Sequence, residues 1–284
     1  MTNANDGLAG LGWSNHSIMQ VSMDERAAGT GRRVQLIAAN VDTLFVVTSC
    51  NQDFNVARLE RYLALAREAG AMPVVVLTKA DLAPDTGDYV RAAARLMPGL
   101  LVECVDARDP AEVARLAVWC GPGQTVALLG SSGVGKSTLV NTLSGVDQAT
   151  APIRDDDAHG RHTTTGRSMH RLPAGGWLLD TPGMRELQLA DVGEGIAAVF
   201  ADIDALATAC RFRDCRHEGE AGCAVAAAVE KGSLDPERLR RFRKLVAEDA
   251  RNSAALHERH ARDRAFGRLV REATRSKRDR EWDR

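Results

Sequence analysis

Eight residues near the middle of the chain have the types and the spacing that bind nucleotide phosphates. The segment 130–137 reads G-S-S-G-V-G-K-S and fits the pattern G-x-x-x-x-G-K-[ST]. The glycines let successive backbone N–H groups surround phosphate oxygens. Lys136 can bridge the β- and γ-phosphates, and the Ser137 hydroxyl can bind Mg²⁺. An apolar run at 124–129 precedes the segment and a helical pattern follows it from about Lys136, which is the context that this motif requires.

A second motif, Asp180-Thr-Pro-Gly183, follows the apolar residues 177–179. This order predicts Asp180 at the carboxyl end of a strand, where its carboxylate can hold Mg²⁺ through water. The Gly183 N–H can meet the γ-phosphate, a contact that hydrolysis removes, so the segment after it is predicted to be a switch. The alternative for such a tetrapeptide in isolation is an ordinary turn.

A third motif, Thr78-Lys79-Ala80-Asp81, ends the apolar run 73–78. An ionised Asp81 can accept hydrogen bonds from the guanine ring N–H and from its exocyclic amine, whereas adenine offers no such pair of donors. The Lys79 stem can lie over the purine face. A Lys-Asp surface turn is the alternative, but the position at a strand end in a chain with a phosphate loop favours a guanine reader.

The elements that must position these motifs alternate along the chain. Residues 41–48, 73–78, 100–105 and 124–129 are rich in β-branched and apolar types and are predicted to be buried strands of a largely parallel sheet. Between them, helices are predicted at 56–69, with Asn55 as N-cap and Gly70 at its end, and at 110–119, opening at Asp109 and Pro110. The pattern is typical of an α/β doubly wound domain.

The order of the motifs along this fold is unusual. In most GTPases the base reader follows the phosphate loop and the D-x-x-G motif, but here Asp81 precedes both. Because chain ends in compact domains often lie close together, joining them and opening the chain elsewhere preserves the site. The sequence therefore predicts a circularly permuted phosphate-loop GTPase domain.

A cysteine cluster follows this domain. Cys210, Cys215, His217 and Cys223 lie within fourteen residues of each other, in a region with few apolar residues. Three thiolates and an imidazole can close a tetrahedral site, so one structural Zn²⁺ is predicted, with free thiols and a surface histidine as the alternative. Beyond Pro236 the pattern is helical, with Leu239, Phe242, Leu245 and Val246 on one face.

Composition limits the classes of protein that this chain can be. Its 284 residues are 44% hydrophobic, which suffices for a globular core, and no stretch approaches the roughly 20 apolar residues of a membrane span. Clustered rather than paired cysteines and the absence of a signal pattern predict a cytoplasmic protein without a membrane partner. Residues 236–284 contain 16 Lys and Arg and 9 Asp and Glu, a charge of +7. Because the net charge of the chain is −1, residues 1–235 carry −8. Such a basic tail indicates a polyanionic partner, unless it is a solvated helix face.

Taken together, the motifs resemble the RsgA family of small-ribosomal-subunit-dependent GTPases. The resemblance covers residues 34–270 and rests on the permuted order, on Gly160-Arg-His-Thr-Thr-Thr165 and on the cysteine cluster. Two further segments resemble the family sequence, namely Ile37-Ala-Ala-Asn-Val-Asp42 and Cys210-Arg-Phe-Arg-Asp-Cys-Arg-His217. The resemblance implies late maturation of the small (30S) ribosomal subunit, with binding to 16S rRNA near the decoding region and release after GTP hydrolysis.

The chain departs from the family pattern in two places. Members usually open with an RNA-binding OB barrel, which is expected to be missing here, so residues 1–33 are predicted to be a mobile arm without a strand series. Thr78 stands where the family and most GTPases carry asparagine, which contacts the base and braces the phosphate loop, so reduced nucleotide affinity is expected. The predicted domains are the arm 1–33, the GTPase domain 34–200 and a zinc-binding helical domain 201–284, in a monomer.

GTP hydrolysis needs a side chain that orients the attacking water, and the residue directly after the D-x-x-G motif does not supply one here. Ras-like enzymes place a water-orienting glutamine after the D-x-x-G glycine, but here that residue is Met184, so slow intrinsic hydrolysis is expected. His162 is the nearest polar candidate to orient water, and Thr164 is expected to bind Mg²⁺ when GTP is bound. The alternative is that His162 contacts only RNA or solvent.

These expectations define the predicted sites. Catalysis is assigned to His162, Mg²⁺ to Ser137, Thr164 and Asp180, and Zn²⁺ to the Cys210, Cys215, His217 and Cys223 cluster. The predicted GTP and GDP contacts are Thr78, Lys79, Asp81, Gly130, Ser131, Ser132, Gly133, Val134, Gly135, Lys136, Ser137, Thr138 and Gly183. Competing hypotheses are an ATP-dependent enzyme, which would not need Asp81, and a nucleotide-responsive RNA-binding protein with vestigial hydrolysis.

Overall fold

The fold comes from a computed structural model that describes residues 19–23, 33–145, 168–180 and 189–254, together with residues 258 and 261. Within these ranges a six-stranded sheet carries helices on both faces, and the first two strands form a separate two-stranded sheet. No described helix has the length and hydropathy to cross a lipid bilayer. The strands are β1 (Met19–Met23), β2 (Arg33–Ala38), β3 (Thr43–Ser49), β4 (Met72–Thr78), β5 (Leu101–Cys104), β6 (Thr125–Leu129), β7 (Ser168–Arg171) and β8 (Trp177–Asp180).

The central sheet has the order β5-β4-β3-β6-β8-β7, and all pairs are parallel except β7 with β8. The predicted strands 41–48, 73–78, 100–105 and 124–129 are confirmed as β3, β4, β5 and β6, with ends that shift by one or two residues. All seven residues of β3 are buried, because the strand lies at the centre of the sheet and is covered on both faces. The edge strand β5 is partly exposed.

The helices are α1 (Val56–Glu68), α2 (Gly87–Ala94), α3 (Pro110–Val113), α4 (Lys136–Ser144), α5 (Gly193–Val199), α6 (Ala201–Ala207), α7 (Ala224–Glu230) and α8 (236–254). The predicted start of α1 is confirmed, since the Asn55 side chain accepts a hydrogen bond from the Arg58 N–H at 2.9 Å. Gly70 follows its end with a φ of 71°, a left-handed conformation that glycine adopts without strain.

The helix predicted at 110–119 is only partly correct. Asp109 caps it as expected, accepting from the Ala111 N–H, but α-helical geometry ends at Val113 and Ala114–Trp119 is a 3₁₀ helix. The tighter winding lets the chain turn into the Gly121-Pro-Gly123 segment that leads to β6, and 3₁₀ turns are common at such helix ends.

The N-terminal prediction also needs a correction. Met19–Met23 is a strand, paired antiparallel with Arg33–Ala38, so the expectation that residues 1–33 lack a strand series is wrong for this segment, while the arm itself stays a prediction. The segment M-Q-V-S-M alternates apolar and polar residues, which is the period of a strand, but its brevity hid the signal.

Two hydrophobic cores lie on the two faces of the sheet. One contains Phe45, Val47, Leu128 and Leu139, beneath α3 and α4. The other lies beneath α1 and α5 and continues into the C-terminal residues Val225, Leu239 and Leu245. This core therefore crosses residue 200, and the predicted division into domains there stays a prediction. On α8, Leu239 and Leu245 are buried and Phe242 packs against the core, but Val246 is exposed, because the apolar face is narrower than expected.

Candidate nucleotide and metal sites

The carboxyl ends of the parallel strands bring the predicted motifs to one edge of the sheet. Thr78 ends β4, Gly130 follows β6 and Asp180 ends β8. Because β6 pairs with β8, with Leu128 opposite Asp180, the carboxylate lies beside the start of the phosphate loop. Crevices at such edges are where open α/β sheets bind ligands.

Glycines of the phosphate loop meet specific steric needs. A Cβ on Gly130 would lie 2.3 Å from the backbone oxygen of Val47, a distance that real atoms do not allow. Gly133 and Gly135 have φ values of 80° and 93°, in the left-handed region that side chains disfavour. Gly135 is followed directly by α4, so its turn directs the loop into the helix N-terminus, which attracts phosphate.

Lys136 is the buried cation of this loop. Its side chain donates to the carbonyl oxygens of Gly130 at 2.8 Å and Ser131 at 2.6 Å, and the residue is 8% exposed. Burial lowers the pKa of Lys136 to about 8, and the nearby Asp180 charge opposes this shift. Burial likewise raises the pKa of Asp180, which is 2% exposed, while Lys136 and His170 act in the opposite direction.

The oxygen groups predicted for Mg²⁺ fall partly within the described residues. Ser137 lies half-buried in the first turn of α4, and Asp180 lies at the end of β8 on the same edge. A hydroxyl and a carboxylate are ligands that Mg²⁺ accepts. Thr164, together with Gly183 and His162, lies outside the described residues. Among the other residues predicted to contact the nucleotide, Ser131 and Val134 are buried, and Ser132 and Thr138 are half-buried.

Thr78 braces the phosphate loop although it is not asparagine. Its hydroxyl lies 2.5 Å from the carbonyl oxygen of Val134 and 3.1 Å from that of Thr48, and the residue is fully buried. A hydroxyl has one proton, so the shorter contact to Val134 is the hydrogen bond. A Cβ on Gly135 would also lie 3.4 Å from this hydroxyl. Strand β4, which leads into the segment predicted to read the base, thus contacts the phosphate loop directly.

The segment predicted to read the base lies at the surface. Lys79 has a φ of 56°, and this left-handed residue turns the chain out of β4 into the 3₁₀ helix Ala80–Leu82, which contains Asp81. The Asp81 side chain is 27% exposed and accepts a hydrogen bond from the Arg108 guanidinium at 2.5 Å. Arg108 also pairs with Asp106 of its own loop.

Sequence reasoning missed the residues of this second loop. Asp106 and Arg108 follow β5, and β5 pairs with β4, so their loop emerges beside the one that holds Asp81. Their position directly after the predicted strand 100–105 was the available signal. A third missed residue is Arg58, near the start of α1, whose guanidinium donates to the Ser131 hydroxyl at 2.6 Å. It adds a cation to the rim of the phosphate loop.

The predicted metal ligands converge. The ligand atoms of Cys210, Cys215, His217 and Cys223 all lie within 4.8 Å of one another. His217 Nδ1 is 3.7 Å from the Cys210 sulfur and 3.5 Å from the Cys223 sulfur, and these two sulfurs are 4.0 Å apart. Tetrahedral Zn²⁺ with bonds of about 2.3 Å to sulfur and about 2.0 Å to nitrogen separates its ligands by roughly 3.5–3.8 Å, so the donor set fits the ion.

The loop around this cluster is ordered by its own hydrogen bonds. The Glu220 carboxylate accepts from the backbone N–H groups of Arg216 and Glu218, each at 2.7 Å. Its own backbone N–H, followed by these two donors, lowers the pKa of Glu220 to about 2. His217 has a φ of 61°, so the chain turns sharply at this residue and brings its ring to the cysteines. Burial lowers the pKa of His217, which favours the neutral imidazole that binds metals.

Comparisons with known proteins agree with this architecture. The RsgA GTPase family matches residues 22–190. The chain is 60% identical over 233 residues to the small ribosomal subunit biogenesis GTPase RsgA of Mesorhizobium japonicum, covering 81% of this chain and 67% of that protein. It is 54% identical to the small ribosomal subunit biogenesis GTPase RsgA 2 of Vibrio parahaemolyticus, covering 90% and 72% of the two chains.

A solved structure shares the permuted fold. It is YloQ, described as a circularly permuted GTPase, with a TM-score of 0.56 and 26% identity over 82% of this chain and 80% of that one. The prediction of a circularly permuted α/β GTPase fold is therefore confirmed, and the Cys₃His cluster fits a zinc-binding module. From the family match and these relatives, this chain belongs to the RsgA GTPase family.

Proposed function

We propose that this protein hydrolyses GTP to GDP and phosphate and acts in the biogenesis of the small ribosomal subunit. The observation that carries the proposal is the meeting of a phosphate loop and a carboxylate base reader at one sheet edge, in a chain 60% identical to a GTPase named for that process. An ATP-dependent enzyme of another class would have no need of Asp81 at this position.

The phosphate end of the site binds the triphosphate. Lys136, now donating to two loop carbonyls, redirects its ammonium group to the β- and γ-phosphates, while the loop N–H groups and the α4 N-terminus add positive potential. Ser137 and Asp180, together with Thr164, would hold Mg²⁺, which would supply positive charge against the phosphates. The remaining proposed contact joins the Gly183 N–H to the γ-phosphate.

The base end of the site selects guanine. The Asp81 carboxylate accepts from the guanine ring N–H and amine, and the Lys79 stem covers the purine face. At the corresponding positions adenine presents a ring-nitrogen acceptor and a C–H group, and its amine stands where guanine has a carbonyl, so an ionised carboxylate does not match it.

Hydrolysis is proposed to depend on the partner. Met184 cannot orient water, and His162 takes this role once the protein is docked on the small subunit. The GTP-bound protein would bind 16S rRNA near the decoding region and leave after hydrolysis. Exposed Arg211, Arg213 and Arg216 beside the metal cluster, with the basic C-terminal tail, supply cations for RNA phosphates.

GTP turnover with and without purified small subunits tests the proposed activity. We expect slow turnover alone and stimulation of at least about tenfold by subunits, as for GTPases that await a partner. Lys136→Ala should abolish both rates, whereas the exposed control Lys231→Ala should retain them. Absence of turnover under both conditions in a GTP-binding protein would support vestigial hydrolysis instead.

The role of His162 needs a separate single-turnover experiment. Parent, His162→Ala and His162→Gln proteins are saturated with GTP and mixed with small subunits. We expect alanine to remove most of the stimulated rate, and glutamine to restore part of it, since an amide can also orient water. Full stimulation of His162→Ala with normal GTP binding would show that this side chain is not catalytic.

One structural Zn²⁺ is proposed for the Cys₃His cluster. Elemental analysis should find about one zinc per chain, and Cys223→Ser should lose it together with the fold of the module around α7. Cys104→Ser, outside the cluster, is the matched control and should retain zinc. Well under one zinc in the parent protein, purified without chelators, would contradict the proposal.

A further inference from the structure

Arg108 joins the carboxylate proposed to read guanine to a second carboxylate. Its Nη2 group is 2.5 Å from Oδ2 of Asp81 and 3.1 Å from Oδ2 of Asp106. Its Nε group donates to Oδ1 of Asp106 at 3.1 Å, and its backbone N–H donates to the same oxygen at 2.9 Å. The guanidinium is therefore anchored by its own loop and presents one edge to Asp81.

This anchoring fixes the guanidinium although the side chain is 65% exposed. The turn in which Asp106 accepts from residue 108 is set by local sequence, so the position of Arg108 does not depend on Asp81. By contrast, Asp81 lies in a short 3₁₀ helix at the surface, and Arg108 is its hydrogen-bonding partner among the described contacts. Arg108 is thus placed to orient Asp81 rather than the reverse.

The charges agree with this arrangement. Both acceptor oxygens lie within about 3 Å of one guanidinium nitrogen, so the two carboxylates are close neighbours whose repulsion this cation offsets. Arg108 holds the pKa of Asp106 below its ordinary value, and the two carboxylates raise the pKa of Arg108.

We propose that Arg108 is a positioning residue for base recognition, which holds the Asp81 carboxylate in the orientation that accepts both guanine N–H groups. A carboxylate offers about four lone-pair positions, and Arg108 takes one of them on Oδ2, so both oxygens can still accept from the base. Fixing the carboxylate in advance removes an ordering cost from nucleotide binding. The inference rests on the guanine-binding function proposed above.

The alternative role of Arg108 is competition. Its N–H groups resemble those of guanine, and a guanidinium that had to leave Asp81 would weaken GDP binding. The two roles predict opposite results when Arg108 is removed. The double anchoring by Asp106 favours positioning, because the guanidinium stays beside Asp81 whether or not a base is bound.

Equilibrium binding of GDP and ADP to Arg108→Ala separates the roles. We expect the Kd for GDP to rise about tenfold and the Kd for ADP to change by less than about twofold, because adenine does not use the oriented carboxylate. Arg108→Lys should recover part of the lost GDP affinity, since lysine keeps the positive charge but lacks the several fixed donors of the planar guanidinium. Arg95→Ala, which removes an exposed arginine from the end of α2, is the matched control and should leave both constants unchanged.

Two further measurements distinguish orientation from a general effect. In an Asp81→Asn background, Arg108→Ala should cause no additional loss of GDP affinity, since its effect passes through the carboxylate. The single-turnover rate at saturating GTP should be the same in Arg108→Ala as in the parent. Unchanged or tighter GDP binding by Arg108→Ala, or equal loss for GDP and ADP, would overturn the inference. A parent protein that binds GDP and ADP equally would instead contradict the proposed guanine specificity.

Discussion

The two ends of the nucleotide site are built in different ways. At the phosphate end, Lys136 and Asp180 are almost fully buried, and the loop is set by backbone geometry and by Gly130, which has no room for a side chain. At the base end, Asp81 and Arg108 meet near the surface as an ion pair. The first end is constrained by packing, and the second by charges on side chains.

This difference predicts how each end responds to change. Close-packed backbone cannot absorb an added atom, so substitutions at the phosphate end should act on folding and on every nucleotide alike. A surface carboxylate can be exchanged without disturbing the core, so substitutions at the base end should change which base is bound. Thr78 lies between the two and connects them through Val134.

The largest effect is expected at the phosphate end, from Gly130→Ala. The added Cβ would lie 2.3 Å from the Val47 oxygen, and a backbone atom cannot move away cheaply. We expect a loss of about 1–3 kcal/mol in the free energy of unfolding and a fall in GDP affinity of roughly a hundredfold, because the loop is displaced. Denaturant titration and equilibrium binding measure the two effects.

A matched glycine substitution controls for this result. Gly193, at the start of α5, has open space where its Cβ would lie, so Gly193→Ala should bind GDP as the parent does. If Gly130→Ala also kept parental affinity, packing would not constrain the phosphate end.

An intermediate effect is expected where the two ends meet, from Thr78→Val. Valine keeps the shape but leaves the buried Val134 carbonyl without its donor, at a cost of about 1–3 kcal/mol. We expect the Kd for both GDP and ADP to rise about tenfold, measured by equilibrium binding. Thr78→Ser retains the hydroxyl and should stay close to the parent. Equal affinities for the valine variant and the parent would show that this brace does not support the loop.

The smallest effect is expected at the base end, from Lys79. Truncation to alanine removes the stem proposed to cover the purine, and should weaken GDP binding by about threefold to fivefold. Lys79→Met keeps an apolar stem without the charge and should retain most of the affinity. Both variants share the left-handed backbone at this position, so their comparison isolates the stem. If Lys79→Ala and Lys79→Met bind GDP with equal affinity, the stem of Lys79 has no role in binding.

The sequence predicted the central sheet well because its signals are local. Each buried strand is a continuous run of apolar residues, and the Asn55 and Asp109 caps mark helix starts. The short strand Met19–Met23 was missed because its pairing partner, rather than its own five residues, stabilises it. The 3₁₀ winding of Ala114–Trp119 depends on where the chain must go next, which periodicity does not reveal.

The candidate site was predictable where a motif is contiguous. The phosphate loop and the cysteine cluster are each short segments, and the residues of each come together as expected. The pairing of Arg108 with Asp81 joins residues 27 positions apart, on loops that meet only because β5 lies beside β4. Likewise, the Arg58 contact with Ser131 depends on how α1 packs beside the phosphate loop. Such contacts follow from the topology, not from spacing.

The most direct test of the account is base selection by Asp81→Asn. Replacing the carboxylate removes one acceptor and adds a donor, which matches the carbonyl that xanthine has in place of the guanine amine. Equilibrium binding of GDP and xanthosine diphosphate should show a loss of GDP affinity of about a hundredfold, from two charge-assisted hydrogen bonds, with xanthosine diphosphate now preferred. Parental GDP affinity in Asp81→Asn, or no gain for xanthosine diphosphate, would contradict the assignment of guanine recognition to this residue.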